Sequence, residues 1–315
     1  KKAFEKLNLR DYGVLLGFLA LCIAISIATP SFLGKQNILN LLRQSSIIGI
    51  ISAGMTFVII SGNFDISVGA VAALAGAITM KFATGGTNLF ASMLLGVAIC
   101  AVIGLINGIV VAKINVPSLI ATMAMVTIVR GLLLMLTGGY PITENIPILD
   151  YIGNGYLFSI PIPVVIFFIV VLASFIVLNK TKFGRYVYSV GGNQEASKLN
   201  GINVDSHKVK VFIINAVLAG IAGIVLTGRL GTATAIAGEG YDMDAIASVV
   251  IGGTSVAGGS GSVLKTVIGV LLMSVINNSF NLLGIDVYFQ YIFKGLIILA
   301  AVGFDSYSKK KLASR

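Results

Sequence analysis

From its start the chain is a succession of long apolar runs separated by short polar ones. The runs lie at about 12–29, 46–61, 66–83, 89–112, 117–136, 161–178, 211–229, 243–258, 263–283 and 287–304. They are continuous rather than amphipathic, and most approach the roughly 20 residues a helix needs to cross a hydrocarbon core. Period-two alternation over ten-residue stretches, the mark of a membrane barrel, is absent. The pattern predicts an all-α fold: one polytopic helical transmembrane bundle over 1–315, with about ten spans. Gly and Asp interrupt the runs within 46–83 and 243–283, so boundaries there are the least defined. The first run follows a basic start, yet Thr29-Pro30 and further apolar runs come after it. It reads as a retained span and not as a signal peptide.

Composition sharpens the class. Hydrophobic residues make up 57% of the chain and charged residues only 11%, where a soluble domain carries about 25% charged. The net charge of +10 could suggest nucleic acid, but the basic residues flank apolar runs and no aromatic–basic surface accompanies them. They gather at Lys1, Lys2, Lys6 and Arg10, between Lys180 and Lys210, and at Lys309, Lys310, Lys311 and Arg315. The positive-inside rule puts all three groups in the cytoplasm. The 137–160 segment has no Lys or Arg and carries Glu144 and Asp150, so it faces outward. The resulting organisation is a cytoplasmic start (1–11), six spans (12–178), a cytoplasmic loop (179–210), four spans (211–304) and a cytoplasmic tail (305–315). Arg130 and Lys294 fall inside spans, where each would cost about 2.5–3.5 kcal/mol at the bilayer centre. Snorkelling or pairing within the bundle would relieve that cost.

Short words recur in order. Phe64-Asp65-Ile66 matches Tyr241-Asp242-Met243, Ile106-Asn107-Gly108 matches Ile276-Asn277-Asn278, and Arg130-Gly131-Leu132 matches Lys294-Gly295-Leu296. Five spans separate each pair. An odd displacement inverts one half relative to the other, an arrangement that recurs in transporters around a midplane site.

Enzyme chemistry finds no support. There is no HExxH, no GxSxG elbow and no paired His and Cys. His207 stands alone, and Cys22 and Cys100 sit in apolar runs, so no metal site is expected. Gly258-Gly259-Ser260-Gly261 leads to Lys265, but Leu264 precedes that lysine and no strand leads in, so the stretch reads as a tight turn and not a phosphate loop. The polar residues within the apolar runs say more. Asn63, Asp65 and Ser67 lie at one Gly- and Asp-rich break, and Asp242 and Asp244 at another. They can cap the following helix or line a polar passage. Intramembrane amides at Asn107, Asn277, Asn278, Asn281 and Gln290 suit either interhelical bonding or a passage for a neutral polyol. Together these residues form the candidate translocation pathway.

One hydrophilic block remains, GGNQEASKLNGINVD at 191–205. It can form a short helix over 194–200, closed by Gly201 as a left-handed cap. Taken alone, it is also compatible with an amphipathic helix resting on headgroups. Glu195-Ala196-Ser197-Lys198-Leu199-Asn200-Gly201 resembles the EAA-x3-G loop of permease subunits in bacterial ABC importers, departing from it at Ser197 and in lacking the downstream Leu-Pro. The likeness runs from about 31 to 304 and is similar to the ribose-type monosaccharide permeases, through SGNFDISVGA (61–70), GLINGIVVAK (104–113), FGRYVYSVGGNQEASKLNGI (183–202), GYDMDAIASVVIGGTSVAGGSG (240–261) and INNSFNLLG (276–284). The resemblance implies a multi-pass bacterial inner-membrane subunit with no cofactor of its own. A cytoplasmic ABC ATPase would use ATP and Mg and dock on Gly192, Asn193, Glu195, Ala196, Lys198, Leu199 and Gly201. A sugar-binding protein outside and a second copy of the chain would complete the importer, and nucleosides or a furanosyl signalling molecule are alternative cargoes. A stand-alone ion-coupled transporter or channel is the competing class, with Asp65, Asp242 and Asp244 as its couplers.

Overall fold

The computed structural model describes residues 9–313, with side chains placed from 16 to 303. The side chains of the two basic termini, 1–10 and 309–315, fall outside that range. The described chain is a helical bundle. In order it forms α1 (Leu9–Ala28), α2 (Lys35–Ile60), α3 (Val68–Thr84), α4 (Leu89–Ala112), α5 (Ser118–Thr137), α6 (Pro147–Asn154), α7 (Ile162–Lys180), α8 (Lys182–Gly192), α9 (Gln194–Leu199), α10 (Val204–Leu230), α11 (Tyr241–Ile251), α12 (Val263–Leu282) and α13 (Val287–Ala313). The only strands among the described residues are two-residue pairs: β1 (Ile142–Thr143) with β4 (Thr232–Ala233), and β2 (Tyr156–Leu157) with β3 (Ile160–Pro161).

Each predicted apolar run has a helix, and α4 has the predicted bounds. Among the described residues, six helices are long and apolar enough to cross a membrane: α2, α4, α5, α7, α10 and α12. Four boundaries differ by seven residues or more: α13 runs on to Ala313, past the predicted 304, and the other three have physical reasons. α2 begins eleven residues before the predicted 46 because its polar first turns are satisfied by other elements. Asn37 and Asn278 exchange amide bonds of 3.0 and 2.8 Å. Arg43 donates to the Asn154 carbonyl at 3.1 Å and lies over the Tyr156 ring. α10 begins at Val204, seven residues before the predicted 211, capped by Asn203. α11 stops at Ile251 and not at 258, because Gly253 takes φ +89° and breaks the helix. The outward segment is also more ordered than a loop: Pro147 starts α6, which packs on the end of α10.

α2 and α10 form the centre. They pack on each other; α10 also packs on α3 and α4, and α2 also packs on α11 and α12. Small residues permit this closeness. A Cβ on Gly223 would lie 1.8 Å from the Ala72 carbonyl oxygen, and one on Gly104 2.6 Å from that of Phe212. Apolar side chains of α4, α5, α7 and α13 remain exposed around the outside, among them Leu94, Met135, Phe168 and Leu299. An apolar exterior around a core containing buried polar side chains is what a lipid solvent allows.

Candidate functional site

Two helix breaks organise the interior. α2 ends at Ile60, and the chain runs through 61–67 without helix before α3 starts. Asp65, at the end of this stretch, is buried. Its Oδ1 accepts the Ser67 N–H at 2.9 Å and its Oδ2 accepts Asn215 Nδ2 at 2.9 Å. Asn107 Nδ2 donates to Ser67 Oγ at 3.1 Å. Asp65 therefore bonds to the residue two positions on and to α10, while Ser67 links to α4, and Asp65 does not cap α3, whose N-cap has no side-chain bond. Asn215 lies about 16 Å along α10, counted at about 1.5 Å per residue. Phe64 and Ile66 give their N–H groups to Ser118 and Thr122 of α5 at 3.1 and 3.3 Å. Irregular backbone inside an apolar bundle needs such partners.

The second break lies between α10 and α11. Asp244, in the first turn of α11, is buried, with Lys294 Nζ of α13 at 3.1 Å from each of its oxygens. Asn277 Nδ2 of α12 adds a 3.2 Å bond to Oδ2. Lys294 thus pairs inside the bundle. Arg130 also finds partners there, donating to the carbonyls of Ala235 and Ala237 in the segment leading to α11.

The breaks meet. A Cβ on Gly69 would lie 2.2 Å from the Gly238 carbonyl oxygen, and one on Gly238 2.7 Å from that of Gly69. Beside this contact is a cavity of about 600 Å3, lined by Ile66 and Gly69, by Thr127 and Arg130 of α5, by Glu239 and Asp242, and by Tyr291 of α13. Its size lies within the roughly 300–1,000 Å3 of small-molecule sites. Arg130 faces the carboxylates of Glu239 and Asp242, and Asp242 lies against the N–H groups of the first turn of α11. Charges, a hydroxyl and an aromatic ring around one void equip it to hold a polar solute.

The candidate pathway residues therefore occupy several places. Asp65, Ser67 and Asn107 form one buried cluster, and Asp244 and Asn277 another. Asp242 alone among them lines the cavity. Asn63 bonds locally to Ser61, Asn278 pairs with Asn37, and Asn281 accepts from Gln290 in the α12–α13 turn. The sequence reading missed Thr127, Glu239 and Tyr291 as cavity residues and Asn215 as the partner of Asp65. The break words FDI and YDM flagged the right regions, but nothing local pointed to Asn215.

At the end of the molecule where α2 stops lies the hydrophilic block. α8 turns through Gly191 and Gly192 into α9, which Asn193 caps through a 2.9 Å bond from the Ala196 N–H. Gly201 closes the helix at φ +76°. Ser197 points inward, bonded to Ser189 and to the Asn193 carbonyl. Lys208 of α10 holds Gln194 at 2.9 Å. Glu195, Ala196, Lys198 and Gly201 are exposed, and Leu199 is 89% exposed. α9 is thus fixed from beneath and bare above. Tyr188 of α8 donates to the Gly261 carbonyl at 3.0 Å, and burial pushes its phenol above the ordinary value. Among the described residues, no group of three or more His, Cys, Asp and Glu could hold a metal.

Comparison with known proteins agrees in extent. A family model described as branched-chain amino acid transport system / permease component matches residues 37–302. Ribose import permease protein RbsC of Haemophilus influenzae is 44% identical over 303 residues, 94% of this chain and 94% of that protein. RbsC of Bacillus subtilis is 43% identical over 300 residues, 94% of this chain and 93% of that one. The L-arabinose transport system permease protein AraH of Escherichia coli is 35% identical over 300 residues, 95% of this chain and 92% of that one. No solved structure matches the chain. With 266 residues under one family model and end-to-end relatives, the chain belongs to the branched-chain amino acid transport system / permease component family.

Proposed function

We propose that this chain is the membrane-spanning permease subunit of an ATP-driven importer for ribose or a closely related monosaccharide. The observation that carries the reading is end-to-end similarity to permeases named for ribose and arabinose. The cavity supports it with acceptors, a fixed guanidinium and an aromatic face in one void. The exposed surface of α9 supports a partner on that side, and the energy source is a separate ABC ATPase that uses ATP and Mg. A sugar-binding protein delivers cargo to the opposite face, and two copies of the chain form the pore.

The membrane arrangement in this reading is ten spans with both termini in the cytoplasm of a bacterial inner membrane. Among the described residues six helices have spanning length, and α1, α3 and α13 contribute shorter apolar stretches. α11, about 16 Å long, covers half of a roughly 30 Å core behind its break. The inverted five-span repeat is supported by packing. α3 lies on α4 and α5 as α11 lies on α12 and α13, and α10 crosses to α3 and α4 as α2 crosses to α11 and α12. In this scheme the two breaks enter from opposite faces and meet beside the cavity, and alternating access opens one side of it at a time.

The test is uptake of labelled ribose into vesicles containing the chain, its ATPase and its binding protein. Uptake should require all three and ATP. Uptake by the chain alone down an ion gradient would replace the importer with the ion-coupled transporter.

A further inference from the structure

The α8–α9 corner touches the first helix break and the α11–α12 turn, at the far end of α11 from the second break, through bare backbone. A Cβ on Gly191 would lie 1.7 Å from the Ile60 carbonyl oxygen and 2.8 Å from the Gly259 nitrogen. One on Gly258 would lie 2.7 Å from the Gly191 carbonyl oxygen and 3.0 Å from Gly62, and one on Gly259 2.7 Å from the Gly192 Cα. The Gly259 N–H donates to the Ile60 carbonyl at 2.8 Å, and Tyr188 fastens α8 to Gly261. Three segments thus meet with no side chain between them: the α8–α9 corner, the end of α2 and the α11–α12 turn. Gly62, Gly258 and Gly259 hold φ of +78°, +84° and +74°, a region closed to most side-chain-bearing residues.

The end of α2 and the α11–α12 turn each lead to a buried polar cluster. Three residues beyond Gly62 is Asp65, bonded to Asn215. α11, which runs into the turn, carries Asp244, bonded to Lys294 and Asn277. Contacts between side chains can absorb a displacement by changing rotamer. Close-packed backbone has no such slack and transmits strain.

We propose that this glycine contact is the joint through which a displacement of α9 reaches both helix breaks together, with Gly191 as its positioning residue and Tyr188 as its tether. The proposal rests on the reading of α9 as the surface an ATPase grips. The joint accounts for a property the cavity alone does not: one movement at the cytoplasmic end acts on Asp65 and Asp244 in both halves at once.

The test uses the full importer, chain with ATPase and binding protein, in vesicles. Three quantities are read: co-purification of the ATPase, ATP hydrolysis stimulated by the binding protein, and sugar taken up per ATP. Gly191→Ala forces the Ile60 carbonyl and Gly259 away from the corner. It should keep the ATPase bound while uptake per ATP falls by about tenfold or more. Tyr188→Phe leaves the glycine packing intact and removes one hydrogen bond. It should lower the same ratio by about fivefold, with ATPase binding unchanged. A merely structural role would lower the yield of folded protein but leave uptake per ATP alone. An unchanged ratio in folded Gly191→Ala overturns the joint. If that variant fails to insert, an unchanged ratio in Tyr188→Phe overturns it. Failure of the wild-type chain to hold an ATPase would instead remove the reading of α9, which keeps the two failures distinct.

Discussion

Replacing Lys294 by Met removes one half of a buried ion pair. The ammonium sits 3.1 Å from each oxygen of Asp244, whose side chain is 5% exposed, while that of Lys294 is 23% exposed. Without the ammonium, Asp244 keeps the 3.2 Å bond from Asn277, and Oδ1 loses a cation at 3.1 Å. Breaking a buried pair from one side costs about 3–5 kcal/mol, because the remaining charge stays buried and uncompensated. The partial exposure of Lys294 places this case near the lower end, about 3 kcal/mol. Adding Asp244→Asn removes the stranded charge while leaving a group that can still bond Asn277. The double variant should therefore recover about 2 kcal/mol relative to Lys294→Met alone. The assay is equilibrium unfolding of the purified chain in mixed micelles, followed by circular dichroism, with all corners of the cycle measured. If Lys294→Met loses less than about 1 kcal/mol, or if the two losses simply add, the two side chains are not coupled as a buried ion pair.

Asp65→Asn should destabilise by about 1–3 kcal/mol, because both carboxylate oxygens accept N–H donors, from Ser67 and Asn215, and an amide can face only one of them with its oxygen; unfolding in the same micelles checks it. Asp242→Asn should leave stability within about 0.5 kcal/mol and lower sugar uptake per folded molecule, since its carboxylate lines the cavity opposite Arg130. Unchanged uptake would remove Asp242 from the passage. Gly69→Val should prevent accumulation of folded protein, because its branched side chain would enter the Gly238 carbonyl. Gly201→Trp meets open space but is strained at φ +76°; because the strain falls on an exposed helix end it should still insert, yet lose ATPase stimulation and uptake together, and normal uptake would sink the docking role of α9.

Legibility from sequence followed the range of the interactions involved. α4 was readable to the residue because its apolar run ends where its helix ends. α9 and its Gly201 closure were readable because cap chemistry lies within a few positions. The starts of α2 and α10 were hidden because Asn37, Arg43 and Lys208 look like loop residues until Asn278, Asn154 and Gln194 come into view. The partner of Asp65 is 150 residues away, and no local pattern can announce it. Arg130 and Lys294 were visible as cations in oil, and pairing was one expected remedy. Which carbonyls and which carboxylate pair with them came only from the fold. The cavity was the least legible part, since it is assembled from α3, α5, α11, α13 and the segment before α11.

The central claim is that α9 is a cytoplasmic surface gripped by an energy-supplying partner. Leu199, almost fully exposed at its tip, gives the most direct test. In the assembled importer a photo-crosslinking residue placed at position 199 should join the chain to the ATPase, and Leu199→Cys should react with an impermeant maleimide only from the cytoplasmic side. Labelling from outside, or no crosslink in vesicles that carry out ATP-dependent uptake, would contradict it.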